Sequence, residues 1–129
     1  MDAQSRPQDP ALAALLDDYI GLYARETLAR WRELFLPEFV ASSTNGDGSV
    51  TTWGLDDFYE RQRRSFATGK PIGETLENVV TERIGAMAHV RADFVWTDGD
   101  VHRRGRLMLL VVERHGALKV QALAFGYDA

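Results

Sequence analysis

Arg91 and Asp93 are the pair in this chain whose types and spacing most directly suggest chemistry. Residues two apart on a strand share a face, and a guanidinium beside a carboxylate holds it ionised. The surrounding stretch alternates: Ala88, Val90, Ala92, Phe94 and Trp96 take one phase, and His89, Arg91 and Asp93 the other. That phase puts the pair opposite the apolar face, outside the sheet or against a second subunit, unless a bulge turns it inward. His89, His102 and His115 fit no metal-ligand spacing, so no metal is expected, and His102 and His115 read as solvated residues in or near turns. Arg61, Arg63 and Arg64 form one basic cluster, and Arg103, Arg104 and Arg106 a second. Flanking acids favour solvated faces or subunit contacts for both, with anion binding as the alternative. Gly46-Asp47-Gly48 is not a strand-to-helix junction, so it reads as a hairpin turn rather than a phosphate loop.

Aromatic residues form the other chemical resource. Tyr19, Tyr23, Trp31, Trp53, Tyr59, Phe94, Trp96, Phe125 and Tyr127 are many rings for a chain of 129 residues. Most such rings build a core, yet phenol and indole tips can line a cleft and still offer hydrogen bonds. The expected ligand-binding set is Tyr19, Tyr23, Trp53, Tyr59, Phe94, Trp96 and Phe125. Tyr19 and Trp53 would supply polar contacts; Phe94, Trp96 and Phe125 would form an apolar wall.

The elements that must position these side chains follow from periodicity and punctuation. Asp9-Pro10 is a helix start, because Asp caps free N–H groups and Pro suits the first turn. Apolar residues from Leu12 to Phe35 then recur at three- and four-residue steps. Gly21 to Thr27 could divide this stretch into two helices, and Pro37 is expected to end it. Phe39 to Ser43 and Ser49 to Trp53 flank an Asn-Gly/Asp-Gly turn and predict a hairpin. Leu55 to Phe66 is helical, with acids in its first turn. Thr75 to Ile84, Ala86 to Thr97, Val101 to Glu113 and Ala117 to Tyr127 predict a four-strand meander. The fold class is therefore α+β: a curved, mixed or antiparallel sheet wrapped around N-terminal helices, forming a cone with a pocket.

Leu107 to Val112 is apolar at every position, so both faces of that strand need cover. Helices can cover one face. A homodimer through the sheet would cover the other, the alternative being curvature that buries both within one chain.

Bulk properties narrow the classes. The chain fits a single domain, residues 9–129, behind a polar disordered tail, residues 1–8. It has no cysteine, which excludes disulfides, a thiol nucleophile and thiolate metal sites. A net charge of −4 lacks the global positive field of a nucleic-acid binder. No run of about 18 apolar residues occurs, so no membrane partner is expected. Met1 to Gln8 lacks the apolar middle of a signal peptide, which makes a cytoplasmic location the simplest reading. No cofactor is expected.

Asp18-Tyr19-Ile20 on the first helix, Leu34-Phe35 before the first strand and Gly54 before the short helix occur in a set order. The Gly116 turn with Leu118 and Val120, and the ending Ala124-Phe125-Gly126-Tyr127-Asp128, complete it. In these pieces the chain, from about Ala11 to Asp128, resembles the nuclear-transport-factor-2-like superfamily. Its members include SnoaL-like polyketide cyclases, ketosteroid isomerases, limonene-epoxide hydrolases and binding modules without activity.

The resemblance implies three sets of site residues. In the isomerases Tyr19 would be the donor tyrosine, but the base falls near Ser43 and the second acid near Met108. Neither can act, so isomerase activity of that type is excluded. In the epoxide hydrolases Arg91 and Asp93 match a water-activating pair, while the second aspartate falls at Phe125, with Asp128 close by. In the cyclases few charged groups are needed. The leading expectation is thus an aromatic, mostly apolar pocket for a small hydrophobic or aromatic metabolite, with cyclase-like activity as an extension. A hydrolase or isomerase using Arg91 and Asp93 comes second, and a ligand-free interaction module third. An enzyme requires a titratable group of shifted pKa inside the cavity. Simple binding requires only a cavity of at least ~300 Å3.

Overall fold

The computed structural model describes residues 6–128. Residues 1–5 of the expected tail lie outside the described residues, and Arg6 makes two 2.7 Å hydrogen bonds to the Asp17 carboxylate.

Helix α1, Pro10–Gly21, begins as its sequence dictates: Asp9 accepts the N–H groups of Ala11 at 2.9 Å and Leu12 at 3.2 Å. It buries Leu12, Leu15, Leu16 and Tyr19. The chain breaks after Gly21 and resumes as a single short helix, α2, Leu28–Arg32. The expected stop at Pro37 is corrected here. The backbone is already extended at Phe35, and Pro37 lies within strand β1, Phe35–Thr44. Register against the neighbouring strand shifts between Phe35 and Val40, and a residue without an N–H is tolerated where the ladder is interrupted.

Strand β2, Val50–Gly54, and helix α3, Leu55–Ala67, complete the N-terminal half. Strands β3, Ile72–Ile84, β4, Met87–Asp98, β5, Val101–Arg114, and β6, Ala117–Tyr127, form the meander. All six strands belong to one open sheet in the order β2-β1-β6-β5-β4-β3. β1 runs parallel to β6, and every other pair is antiparallel. The sheet curves around its helices, α1 packing on β3 and β6 and α3 on β1 and β2. The class is α+β.

Strand alternation decides what faces the helices. Ala88, Val90 and Ala92 of β4 register with Val111, Leu109 and Leu107 of β5, and all six are buried. On the outer face Val80, Arg91, Met108 and Ala124 form one ladder across β3, β4, β5 and β6. Met108 is 54% exposed there and Val80 44%. Curvature within one chain therefore does not cover the outer side of the apolar run in β5.

Gly105 continues the inner row opposite Phe94. A Cβ at this position would lie 2.3 Å from the Gly126 carbonyl oxygen and 2.6 Å from the Phe94 ring. The missing side chain is what leaves room for the Phe94 ring and the Gly126 carbonyl beside β5. Gly105→Ala should therefore destabilise the fold by about 1–3 kcal/mol through overpacking, read from urea unfolding midpoints. An unchanged midpoint would mean that the Phe94 ring moves freely.

Candidate functional site

The helices leave one end of the concave face unfilled. A cavity of about 380 Å3 remains, walled by Tyr19 of α1, Tyr23 just beyond its end, Trp31 of α2, Phe58 and Gln62 of α3 and Trp53 of β2. The sheet adds Glu74 of β3, Phe94 and Trp96 of β4, Arg103 and Leu107 of β5, and Leu123, Phe125 and Tyr127 of β6.

Six of the seven expected ligand-binding residues meet here: Tyr19, Tyr23, Trp53, Phe94, Trp96 and Phe125. Tyr59 does not. Phe58, Gln62 and Ser65 recur at helical spacing on the cavity side of α3, and Tyr59 lies a quarter-turn round the helix from Phe58. Its ring instead sits 4.9 Å from the Arg32 guanidinium.

Arg91 and Asp93 lie outside the cavity, along an open groove on the outer face with Thr44, Asn78 and Met108. Asp93 accepts a 2.8 Å hydrogen bond from Asn78 Nδ2 and lies 3.7 Å from Arg106 Nε. The bulge needed to turn this pair inward falls on the neighbouring strand instead. β3 shifts register between Glu77 and Val80, where Asn78 has φ 54°, while β4 alternates without interruption.

Glu74 is the site residue that sequence reasoning missed. It pairs in register with Trp96, and Leu76 with Phe94, which sets both β3 side chains on the inner face. Its Oε1 is shut off from solvent and has no hydrogen-bond partner. Burial pushes the Glu74 carboxyl up to about 8, because it strips the ionised form of its hydration. Tyr19 is raised well above an ordinary phenol, first by burial and then by the nearby Glu74 charge. Tyr23 is raised for the same reasons, partly offset by its bond from Trp96. Below about 8 Glu74 is therefore mainly a neutral acid beside two neutral phenols.

A hydrogen-bond bridge braces one wall. Trp96 Nε1 donates to the Tyr23 hydroxyl at 3.0 Å, which donates to Gln62 Oε1 at 2.6 Å. This ties β4, α3 and the segment between α1 and α2 together and occupies the Tyr23 hydroxyl. Trp31 Nε1 donates to the Tyr19 carbonyl oxygen at 2.9 Å, so α2 is fixed to α1 across the helix break.

Two arginines stand at the mouth. The Arg61 guanidinium lies 4.7 Å from the Trp53 ring centre, and that of Arg103 lies 3.6 Å from the Tyr127 ring centre. Among the described residues no three His, Asp or Glu side chains gather as a metal site. No helix among them is long and apolar enough to cross a membrane.

A helix-lined curved sheet with a cavity at its open end is the cone of the nuclear-transport-factor-2-like superfamily. Within it, the SnoaL-like domain family matches residues 12–116, and this chain belongs to that family. No functionally curated protein matches the chain in sequence. Solved structures share the fold at low identity. A protein of unknown function from Mycobacterium tuberculosis superposes with a TM-score of 0.74 at 17% identity, over 92% of this chain and 70% of that one. A proposed aromatic ring hydroxylase from Novosphingobium aromaticivorans gives 0.74 at 18% identity, over 100% and 92%. A proposed dehydratase of the nuclear-transport-factor-2-like family from Streptomyces avermitilis gives 0.72 at 13%, over 92% and 94%.

The Glu74 shift makes a stability prediction with a definite sign. A glutamate in the unfolded chain titrates near 4.5, and the folded one near 8. Between these values the folded chain keeps a proton that the unfolded chain has lost. The stability due to the neutral carboxyl is thus complete below about 4.5 and is lost as pH rises through about 8. Glu74→Gln cannot ionise, so between pH 5 and pH 9 its stability should rise relative to the parent by roughly 2–4 kcal/mol. Urea unfolding at both pH values checks this; parallel pH slopes for the two proteins would refute the burial of this carboxyl.

Proposed function

We propose that this domain binds a small hydrophobic or aromatic metabolite in its cavity and exchanges a proton with it through Glu74, in the manner of a cyclase-type enzyme. One observation carries the reading: a cavity of about 380 Å3, walled by aromatic rings, contains a buried carboxyl with an unpartnered oxygen. That volume exceeds the ~300 Å3 at which small-molecule sites begin. A carboxyl titrating near 8 can be base and acid in turn at neutral pH. As carboxylate it takes a proton from a carbon beside a carbonyl, and as acid it returns that proton to another atom of the same ligand. The surrounding rings keep water from intercepting the intermediate enolate.

The two other readings have weaker support. For a hydrolase, Asp93 would need a walled site, but it lies on an open groove held by Asn78 and Arg106. A ligand-free interaction module needs a filled cone, and this cone has a cavity.

The simple enolisable aryl ketone 2-tetralone tests the proposal. Calorimetry should detect its binding, and nuclear magnetic resonance in D2O should show accelerated exchange of its α-protons. Glu74→Gln should keep the binding and lose at least ~10²-fold in exchange rate. Asp93→Asn should change neither. Binding without Glu74-dependent exchange would reduce the domain to a carrier, and absence of binding by any apolar ketone would remove the cavity reading.

The outer face supports homodimerisation as part of the same proposal. Val40, Val80, Met108 and Leu110 are exposed together on a sheet face that no helix covers. A second copy would bury them. Sedimentation should give a two-chain mass, reduced to one chain by Met108→Arg. A single-chain mass for the parent would remove the dimer.

A further inference from the structure

The two basic clusters contain an asymmetry that their sequence does not reveal. Arg63 and Arg64 both reach Glu60 of the same helix, at 2.6 and 3.5 Å. Arg104 lies 3.9 Å from Glu77, and Arg106 lies 3.7 Å from Asp93, on the outer face of the sheet. Each cluster has one remaining member, Arg61 and Arg103, and neither forms a salt bridge among the described residues. These two stack on rings of the cavity wall, whereas Arg64, which also borders the cavity, is held by Glu60.

Stacking has a directional consequence. A guanidinium lying on an aromatic ring uses its flat face, and its N–H donors point outward in the plane. Those edges remain free to take an anion in bidentate fashion, while the ring limits the rotamers that would otherwise be lost on binding. Both cations also converge on one place. After burial, which raises the Tyr127 hydroxyl, Arg103 and Arg61 each lower it. In a chain with a net charge of −4, this mouth is a local positive spot over an apolar cavity. Trp53 stacks on Phe125 at 6.3 Å and 13°, so the rings under the two cations continue into the wall below.

We propose that the ligand of this cavity is an aromatic or apolar acid, with its ring system against Trp53, Phe125 and Trp96 and its anionic group held between the N–H edges of Arg61 and Arg103. This inference rests on the reading of the cavity as a ligand site and adds the charge of the ligand and the direction in which it enters. The anionic group is a carboxylate, sulfonate or phosphate, which share the needed acceptor geometry. The ligand body goes in first, toward Glu74 and Tyr19, and the charge stays at the wet rim.

The test uses two probes of one shape, 2-naphthoate and 2-naphthamide, titrated calorimetrically at low salt and pH 6.5. The parent protein should bind the naphthoate at least ~10-fold more tightly, as expected of charge-assisted over neutral hydrogen bonds. The double variant Arg61→Gln/Arg103→Gln should bring that ratio to about one, leaving naphthamide affinity unchanged. Arg104→Gln, which alters a paired arginine of the same cluster, should preserve the ratio. Salt should weaken naphthoate binding selectively. Equal binding of the two probes, or a ratio that survives the double variant, would overturn the anionic ligand while leaving the cavity reading in place. Failure of both probes to bind the parent would remove the cavity reading and this inference together. Inorganic phosphate binding as tightly as naphthoate would show a bare anion site and overturn the requirement for an apolar body.

Discussion

A mismatch of size between helices and sheet organises this molecule. Helices of 12 and 13 residues span about 18–20 Å, whereas strands of up to 14 residues run to about 46 Å. Alternation commits every second residue of β4 and β5 to the concave face, so that face must be covered along its length. Helix α1 covers one end well, where Leu12, Leu16, Val90, Leu109 and Val111 are buried. At the other end α1 and α3 contribute only walls, and the aromatic rings placed there do not fill the space between them. The cavity is the unfilled remainder of the core rather than a feature added to it. The same mismatch explains why the cavity walls come from every part of the chain between α1 and β6.

That origin accounts for the chemistry of the site. A remainder of core is poorly solvated, and a carboxyl placed in it favours the neutral acid. Glu74 is held there by the backbone ladder with Trp96 and not by any cation of its own. The contrast with Asp93 is instructive. Asp93 has a carboxylate of the same kind, a hydrogen bond from Asn78 and an arginine nearby, all on the outer face. Two acids on adjoining strands are thus given opposite environments by the side of the sheet they face. The one with partners suits structure, and the one without suits proton transfer.

Much of the architecture was readable because turns and alternation are local signals. Asp98-Gly99 and His115-Gly116 sit in turns, with φ values of 63° at Gly99 and 53° and 78° at His115 and Gly116, and the strands between them have uninterrupted phase. The phase of β4 correctly put Arg91 and Asp93 outside. Where a signal is not local, the reading stopped. In β3 the bulge at Asn78 makes the inward residues Leu76 and Val79 three apart, so alternation counted along the strand loses its phase before reaching Glu74. Pro37 looked like a helix stop because its tolerance in β1 depends on a partner strand 80 residues further along the chain. Arg61 and Arg103 look no different from their neighbours in sequence; only closure of the cone separates the paired arginines from the unpaired ones.

The chain contains three tryptophans, Trp31, Trp53 and Trp96, and all three border the cavity. Each has a different setting: an indole N–H bonded to a backbone carbonyl, a ring beneath a guanidinium, and an indole N–H bonded to a phenol. The whole tryptophan emission of the protein therefore originates at one small volume, with no distant indole to dilute it. Light absorbed anywhere in the molecule above the tyrosine band reports on what fills that space. A library of unlabelled metabolites can be sorted by the colour and intensity of this intrinsic glow, so that filling of the cavity would be read without any added label.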